Sequence, residues 1–158
     1  MPTITKRRYQ DTQNFGNSPW GNVMALEYTL ATASNGSVIG GDSASAVASG
    51  DVVRLGLLPA GFRVHDVLVI VDDAFTASVI ADVGFAYEDG VDDATAPQGA
   101  SAYANDLAVN TVGRYRSNVA SKLATLQKPA WLTVTTAGAA HNTAASATVI
   151  VYGEFVGV

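Results

Sequence analysis

The sequence predicts an all-β domain, an antiparallel β-sandwich or jelly-roll-like barrel of about seven or eight strands with an extended N-terminal arm. Three observations lead there. Apolar residues recur at every second position in several segments, which is the period of a half-buried strand. Residues that favour turns separate those segments. Nowhere do strands alternate with long helical patterns, as a parallel, doubly wound sheet would require.

Residues 1–21 show no sustained periodicity and carry three isolated aromatics, Tyr9, Phe15 and Trp20, behind a basic run, Lys6-Arg7-Arg8. A tail that stays in water has no use for Phe15 or Trp20, so the segment is read as an arm lying on something. The main domain is assigned to residues 22–158. Residues 22–31 open it with Met24, Leu26, Tyr28 and Leu30 on one face. Asn35-Gly36 signals a turn, and a long Gly/Ser/Ala-rich loop follows to Gly50.

Residues 51–58 alternate Val53, Leu55 and Leu57 against Arg54 and Gly56, Pro59-Ala60-Gly61 turns the chain, and 62–71 form a strand rich in β-branched residues. Asp72-Asp73 ends it. The next strand, 78–87, sets Val79, Ala81, Val83, Phe85 and Tyr87 on one face, and Glu88-Asp89-Gly90 stops it. Residues 92–110 read as an Ala-rich excursion with a short helical turn over 103–108. A short strand is expected at 112–118, one or two helical turns at 121–127, and a strand at 130–136. The last segment, 145–156, is the cleanest alternation: Ala147, Val149, Val151, Gly153 and Phe155 oppose Thr148, Ile150, Tyr152 and Glu154. Because it runs almost to Val158, it is expected to be held in a sheet.

With 158 residues the chain is long enough for one domain with a sizeable core. It is 48% apolar and only 15% charged, against about 25% charged in ordinary soluble domains, so much of its surface is small and uncharged. Such a surface suits contact with other protein. There is no cysteine, which excludes disulfides, thiolate metal sites and a Cys nucleophile. The longest apolar run, Val67 to Val71, has five residues, too few for a membrane helix or a signal-peptide core. A soluble protein with no membrane partner is therefore expected. Net charge is −5, and the stretch from Asp42 to Asp106 holds eleven acids against Arg54 and Arg63, which would repel nucleic acid.

Gly41-Asp42-Ser43 resembles the surroundings of a hydrolase serine, but both histidines, His65 and His141, follow Ser43, against the chymotrypsin-like order. Gly138 stands where a GDSL-type esterase has an Asp before its histidine. Two distant histidines supply no transition-metal site, and His65 is read as a strand surface residue. Asp72-Asp73, Glu88-Asp89 and Asp92-Asp93 could hold Ca²⁺ if one end of the sandwich gathered them, although the D-x-[DN]-x-[DN]-G loop pattern is missing. No nucleotide-binding glycine motif occurs. The reading is of a protein with no cofactor, no metal and no catalytic residues.

Asp51-Val52-Val53-Arg54-Leu55, Leu58-Pro59-Ala60-Gly61, Val64-His65-Asp66-Val67, Asp73-Ala74-Phe75 and Val83-Gly84-Phe85-Ala86-Tyr87, with the closing Val149-Ile150-Val151-Tyr152, resemble the capsid decoration, or cement, family of tailed bacteriophages. The resemblance covers the central third and the last tenth of the chain. It implies a jelly-roll or small β-barrel on the capsid exterior, commonly trimeric, made in the host cytoplasm and clamping neighbouring subunits of the major capsid protein. The arm residues Lys6, Arg7, Arg8, Tyr9, Phe15 and Trp20 are then the expected capsid contacts. Two other readings stand beside it. One is a head-fibre base or tail component. The other is a carbohydrate-binding sandwich using Tyr87 with Glu88-Asp89, or Tyr103 with Asp106, as aromatic platforms beside acids.

Overall fold

The computed structural model describes residues 23–120 and 124–157. The arm assigned to 1–21, with its six expected contact residues, lies outside the described residues, as do three residues of the helical turn expected at 121–127. The described residues form eight strands and no helix: β1 (Val23–Thr32), β2 (Val52–Leu58), β3 (Phe62–Asp73), β4 (Ile80–Tyr87), β5 (Gly99–Leu107), β6 (Gly113–Arg116), β7 (Ala130–Ala137) and β8 (Ala145–Phe155).

The strands make two four-stranded antiparallel sheets, ordered β1-β8-β3-β6 and β2-β7-β4-β5. The first strand pairs with the last, the second with the second to last, and so inward to β4 with β5. A long hairpin rolled up on itself gives this nesting, and it is the jelly-roll arrangement. The expected fold class is therefore the observed one. β8 lies between β1 and β3, so the last strand is held on both edges.

Period two sets the inner faces. On β8, Ala147, Val149, Val151 and Gly153 point inward; on β4, Ala81, Val83, Phe85 and Tyr87 do so. Phe62, Val67, Val71, Val149 and Val151 of one sheet join Leu58, Val83, Phe85, Leu132 and Val134 of the other in one continuous core. Each such side chain contributes roughly 1.5 to 3 kcal/mol on burial.

Two bulges shift the phase of the alternation. On β3 the register with β8 slips between Val64 and Asp66, so Phe62 and Val64 are buried before His65, and Val67, Val69 and Val71 after it. On β2 the slip between Arg54 and Gly56 has the same effect: Val53 and Leu55 are half-buried, but then Leu58, not Leu57, enters the core. This corrects the strict alternation read for 51–58, which placed Leu57 with Val53 and Leu55. An inserted residue inverts every later side chain, and composition alone does not reveal it.

Two further expectations fail. The 92–110 excursion contains β5 over Gly99–Leu107, paired with β4, where a helical turn had been read at 103–108. Tertiary pairing with a hydrophobic neighbour overrides the weak helix preference of an Ala-rich segment. Of the helical turn read at 121–127, the described part is extended: Thr125 bridges antiparallel to Arg63, and Leu126 exchanges backbone hydrogen bonds with Gly61 and Phe62.

Candidate functional site

The nesting of strands sorts the loops to two ends. Register places the start of β1 beside the end of β8, and the start of β3 beside Phe155. The β2–β3, β4–β5 and β6–β7 connections, the start of β1 and the end of β8 therefore share one end, called the terminal end. The β1–β2, β3–β4, β5–β6 and β7–β8 connections share the other.

The terminal end is apolar on its rim and firmly tied beneath. Among the described residues nine large apolar side chains are exposed, and six of them, Val23, Met24, Leu57, Val91, Phe155 and Val156, belong to this end; Val23 is 64% and Phe155 58% exposed. Under the rim, the Gly61 amide donates to Leu126 O, the Val156 amide to Gly61 O, and the Glu88 amide to Pro129 O. Gly61 adopts φ 81°, and a β-carbon there would meet the Gly157 backbone at 2.8 Å. That close approach is why the predicted Pro-Ala-Gly turn ends in glycine.

Lys128 anchors the acidic β4–β5 loop. Its Nζ donates to Asp89 Oδ2 at 2.8 Å and to Val91 O at 2.7 Å, and stands 4.7 Å from the centre of the Tyr87 ring. The Lys128 hydrogen bond, aided by the Val91 amide, holds the Asp89 carboxyl below its usual range. Asp92 Oδ1 accepts from the Asp93 and Gln98 amides, and Asp93 Oδ1 from the Thr95 amide. The Thr95 amide is the main reason the Asp93 carboxyl is also lowered. These carboxylates hold their own loop in shape.

The Ca²⁺ arrangement considered from sequence does not form. Asp72-Asp73 closes β3 at the opposite end from Glu88-Asp89 and Asp92-Asp93, and among the described residues no three His, Asp or Glu side chains converge to hold a metal ion. The carbohydrate platforms fail as well. Tyr87 is 1% exposed and donates its hydroxyl to Ala96 O, while Tyr103 stacks on Phe85 with ring centres 5.5 Å apart. Burial raises both phenols, Tyr103 far above the ordinary tyrosine value. The Tyr87 ring is closed to a sugar, and the half-buried Tyr103 has its ring stacked on Phe85 rather than standing free as a platform. Ser43, tested as a nucleophile, accepts the Ser45 amide with its hydroxyl in an exposed loop.

Along the outer face of the β1-β8-β3-β6 sheet, charge is paired. Arg63 binds Glu154 through Nε at 2.9 Å and through a second nitrogen, and His65 Nε2 reaches the same carboxylate at 3.2 Å. Arg63 first, then His65, lowers the Glu154 carboxyl. Asp66 pairs with Arg116 on β6 at 3.2 Å. His65 is thus a strand surface residue, as read from sequence. Between the β3/β6 and β5 flanks lies a cavity of about 480 Å³, bounded in part by Val64, Ala96, Tyr103, Ser117 and Leu126. Its polar walls are already engaged: Ser117 donates to Tyr103 O and Asp66 takes Arg116.

The opposite end depends on one residue that sequence reasoning did not single out. His141, in the β7–β8 loop, is 0% exposed. Its Nε2 lies 2.8 Å from Thr32 Oγ1 at the end of β1, and its Nδ1 accepts the Thr76 amide of the β3–β4 loop at 3.2 Å. Its amide donates to Val47 O in the β1–β2 loop, and its ring tilts against Phe75 with centres 4.7 Å apart. The Phe75 amide in turn donates to Val109 O in the β5–β6 loop. A lone histidine beside threonines and glycines gives no periodic signal, so only its partners reveal it.

No protein-family model and no curated protein matches the chain. Solved structures do match. A chain of the capsid of Ralstonia phage GP4 is 18% identical with a TM-score of 0.62, over 93% of this chain and 94% of that one. A chain of the cyanophage Pam1 capsid asymmetric unit is 17% identical with a TM-score of 0.60, over 98% of this chain and 99% of that one. Both likenesses span the fold end to end.

Proposed function

We propose that this chain is a structural protein of a tailed-phage virion, one that sits on the outside of the capsid and clamps neighbouring subunits of the major capsid protein. The observation that carries the reading is the jelly roll itself, shared over nearly its whole length with chains of two phage capsids. Jelly rolls also serve in lectins and enzymes. The polar side chains favour the structural use: acids of the β4–β5 loop and Glu154 are engaged by loop amides, Lys128 and Arg63, and Tyr87 is buried. No catalytic role is assigned to any residue.

In this reading residues 1–21 are the reaching arm and 22–158 the rigid body. The arm enters the domain at Val23, inside the apolar rim formed with Met24, Phe155 and Val156. Lys6, Arg7 and Arg8 meet acidic surface on a capsid subunit, while Tyr9, Phe15 and Trp20 supply buried area. Ordering such an arm costs about 1 to 2 kcal/mol per residue, and three aromatics return only about 1.5 to 3 kcal/mol each. Backbone pairing and repeated attachment must supply the rest, which favours a closed oligomer, a trimer, over a single clip. A clamp bound to two subunits adds free energy that must be lost before they part.

The test is to mix the purified protein with expanded shells lacking it, and separately with isolated tails. Co-sedimentation with shells and a raised shell melting temperature support the reading. Binding to tails alone makes it a tail component, and binding to neither overturns the virion role.

A further inference from the structure

We propose that His141 is an acid-sensitive latch: in its neutral form it fastens the β1–β2, β3–β4 and β7–β8 loops into one closed end, and protonation releases them. The hydrogen-bond pattern fixes the form of the ring. A backbone amide can only donate, so Nδ1, which receives the Thr76 amide at 3.2 Å, carries no proton. Nε2 then bears the hydrogen and donates to Thr32 Oγ1 at 2.8 Å. Thr32 is free to accept because its own hydroxyl donates to Thr143 O at 3.1 Å. Both ring nitrogens of the neutral form are engaged, Nε2 as donor and Nδ1 as acceptor.

A second proton has no good place. It would sit on Nδ1 and face the Thr76 amide, turning an accepted hydrogen bond into two opposed N–H groups. Thr76 Oγ1, 3.1 Å away, has a second lone pair that could accept it beside the Asn142 amide, but the Thr76 amide would still lose its partner and face the new N–H. The charge would also be fully buried against Phe75. No counter-ion relieves it. The titratable groups on the segments packed here are Glu27 on β1, Asp42 and Asp51 in the β1–β2 loop, Asp72 and Asp73 closing β3, and Asp106 closing β5. None of them hydrogen-bonds His141, and all of them are exposed to solvent. Burial accordingly pushes the imidazole below its usual value.

The backbone has little slack around the latch. A β-carbon at Gly36 would stand 2.6 Å from Asn142 Cα, so the β1–β2 turn is pressed against the His141–Asn142 peptide. Losing the ring's bonds therefore frees several loops together. The sign follows from the lowered value. The latch holds fully above the open state's pKa of about 6.5 and weakens as pH falls from there toward the closed state's value, at about tenfold per pH unit for one proton. His65, the other histidine, lies on the outer sheet face beside Glu154 and belongs to the opposite end.

Amide hydrogen exchange, corrected for intrinsic rates, tests this on the full chain carrying His65→Gln, so that one histidine titrates. Protection of the Thr76 and His141 amides should fall about tenfold per unit below pH 6.5 while that of Val149 in the core stays constant. His141→Gln, which keeps a donor and an acceptor without titrating, should abolish the dependence. Nitrogen-15 spectra of the imidazole give a readout that survives if that variant does not fold: they should show the Nε2–H form, protonating only as the loops open. Protection unchanged down to pH 5, a ring that titrates near 6.5 with the loops still closed, or an Nδ1–H tautomer would each overturn the latch.

Discussion

Gly84 on β4 packs its α-carbon so closely against β5 that a β-carbon at position 84 would stand 2.6 Å from the Ala100 carbonyl carbon. The neighbouring atoms are backbone and cannot turn aside as a side chain would. The β4–β5 pairing also slips in register on both sides of Val83, so this pair of strands is held by few regular bonds. Gly84→Ala should therefore cost about 1 to 3 kcal/mol or more by overpacking. Urea denaturation measures it as a lower midpoint at constant slope; an unchanged midpoint would show that β5 can retreat without loss.

Leu132, on β7 in the middle of its sheet, is 0% exposed. Truncation to alanine should cost about 2 to 5 kcal/mol, the sum of lost transfer energy and the cavity left behind. Val52→Ala, at an exposed edge position, should stay within about 0.5 kcal/mol of the parent. Thermal unfolding of the two variants side by side separates core from rim.

Asp89 and Lys128 fix the β4–β5 loop, and the partnership has a pH signature. The Asp89 carboxyl is lowered in the folded protein by the Lys128 hydrogen bond. Its stabilising contribution is complete above the unfolded value of about 3.9 and is lost as pH falls through the lower folded value. Asp89→Asn should accordingly melt below the parent at pH 7 and converge with it near pH 2. Melting curves across that range check the convergence, which lies well below the range in which His141 acts.

Removing residues 1–13 deletes Lys6, Arg7, Arg8 and Tyr9 but leaves Phe15 and Trp20. The truncated protein should melt within a few degrees of the parent and co-sediment more weakly with shells that lack it, with the deficit shrinking as salt is raised and screens the basic residues of the full chain. If it unfolds, the arm belongs to its own domain's core. If it binds as tightly as the full chain, the contact residues lie elsewhere.

Light scattering after size exclusion checks the oligomer. A trimer at micromolar concentration is the expected result, since the apolar rim around Val23 and Phe155 favours a closed assembly that hides it. A dimer would count against threefold placement, and a monomer would mean that assembly occurs only on the shell.

Sequence by itself determined the material of this protein. Alternation in 78–87 and 145–156 made β4 and β8 legible with their inner faces correctly assigned as far as Gly153, because side chains on a strand alternate whatever the strand pairs with. Phe155, read on the inner face, lies exposed at the rim. The turn at Pro59-Ala60-Gly61 was equally local, set by residues that restrict or free their own backbone. Tertiary structure decided everything that depends on a distant partner. β5 exists because β4 offers it an edge, and its own alanines argue for nothing. The phase change at Leu55 and His65 follows from bulges against β7 and β8. The acids of 88–93 and 72–73, alike in sequence, ended at opposite ends of the molecule. His141 shows the reason most directly: its role is defined by Thr32, 109 residues away, and by Thr76, 65 residues away. Pairing energies between remote segments are paid out only when the chain closes on itself, and a sequence pattern carries no trace of them.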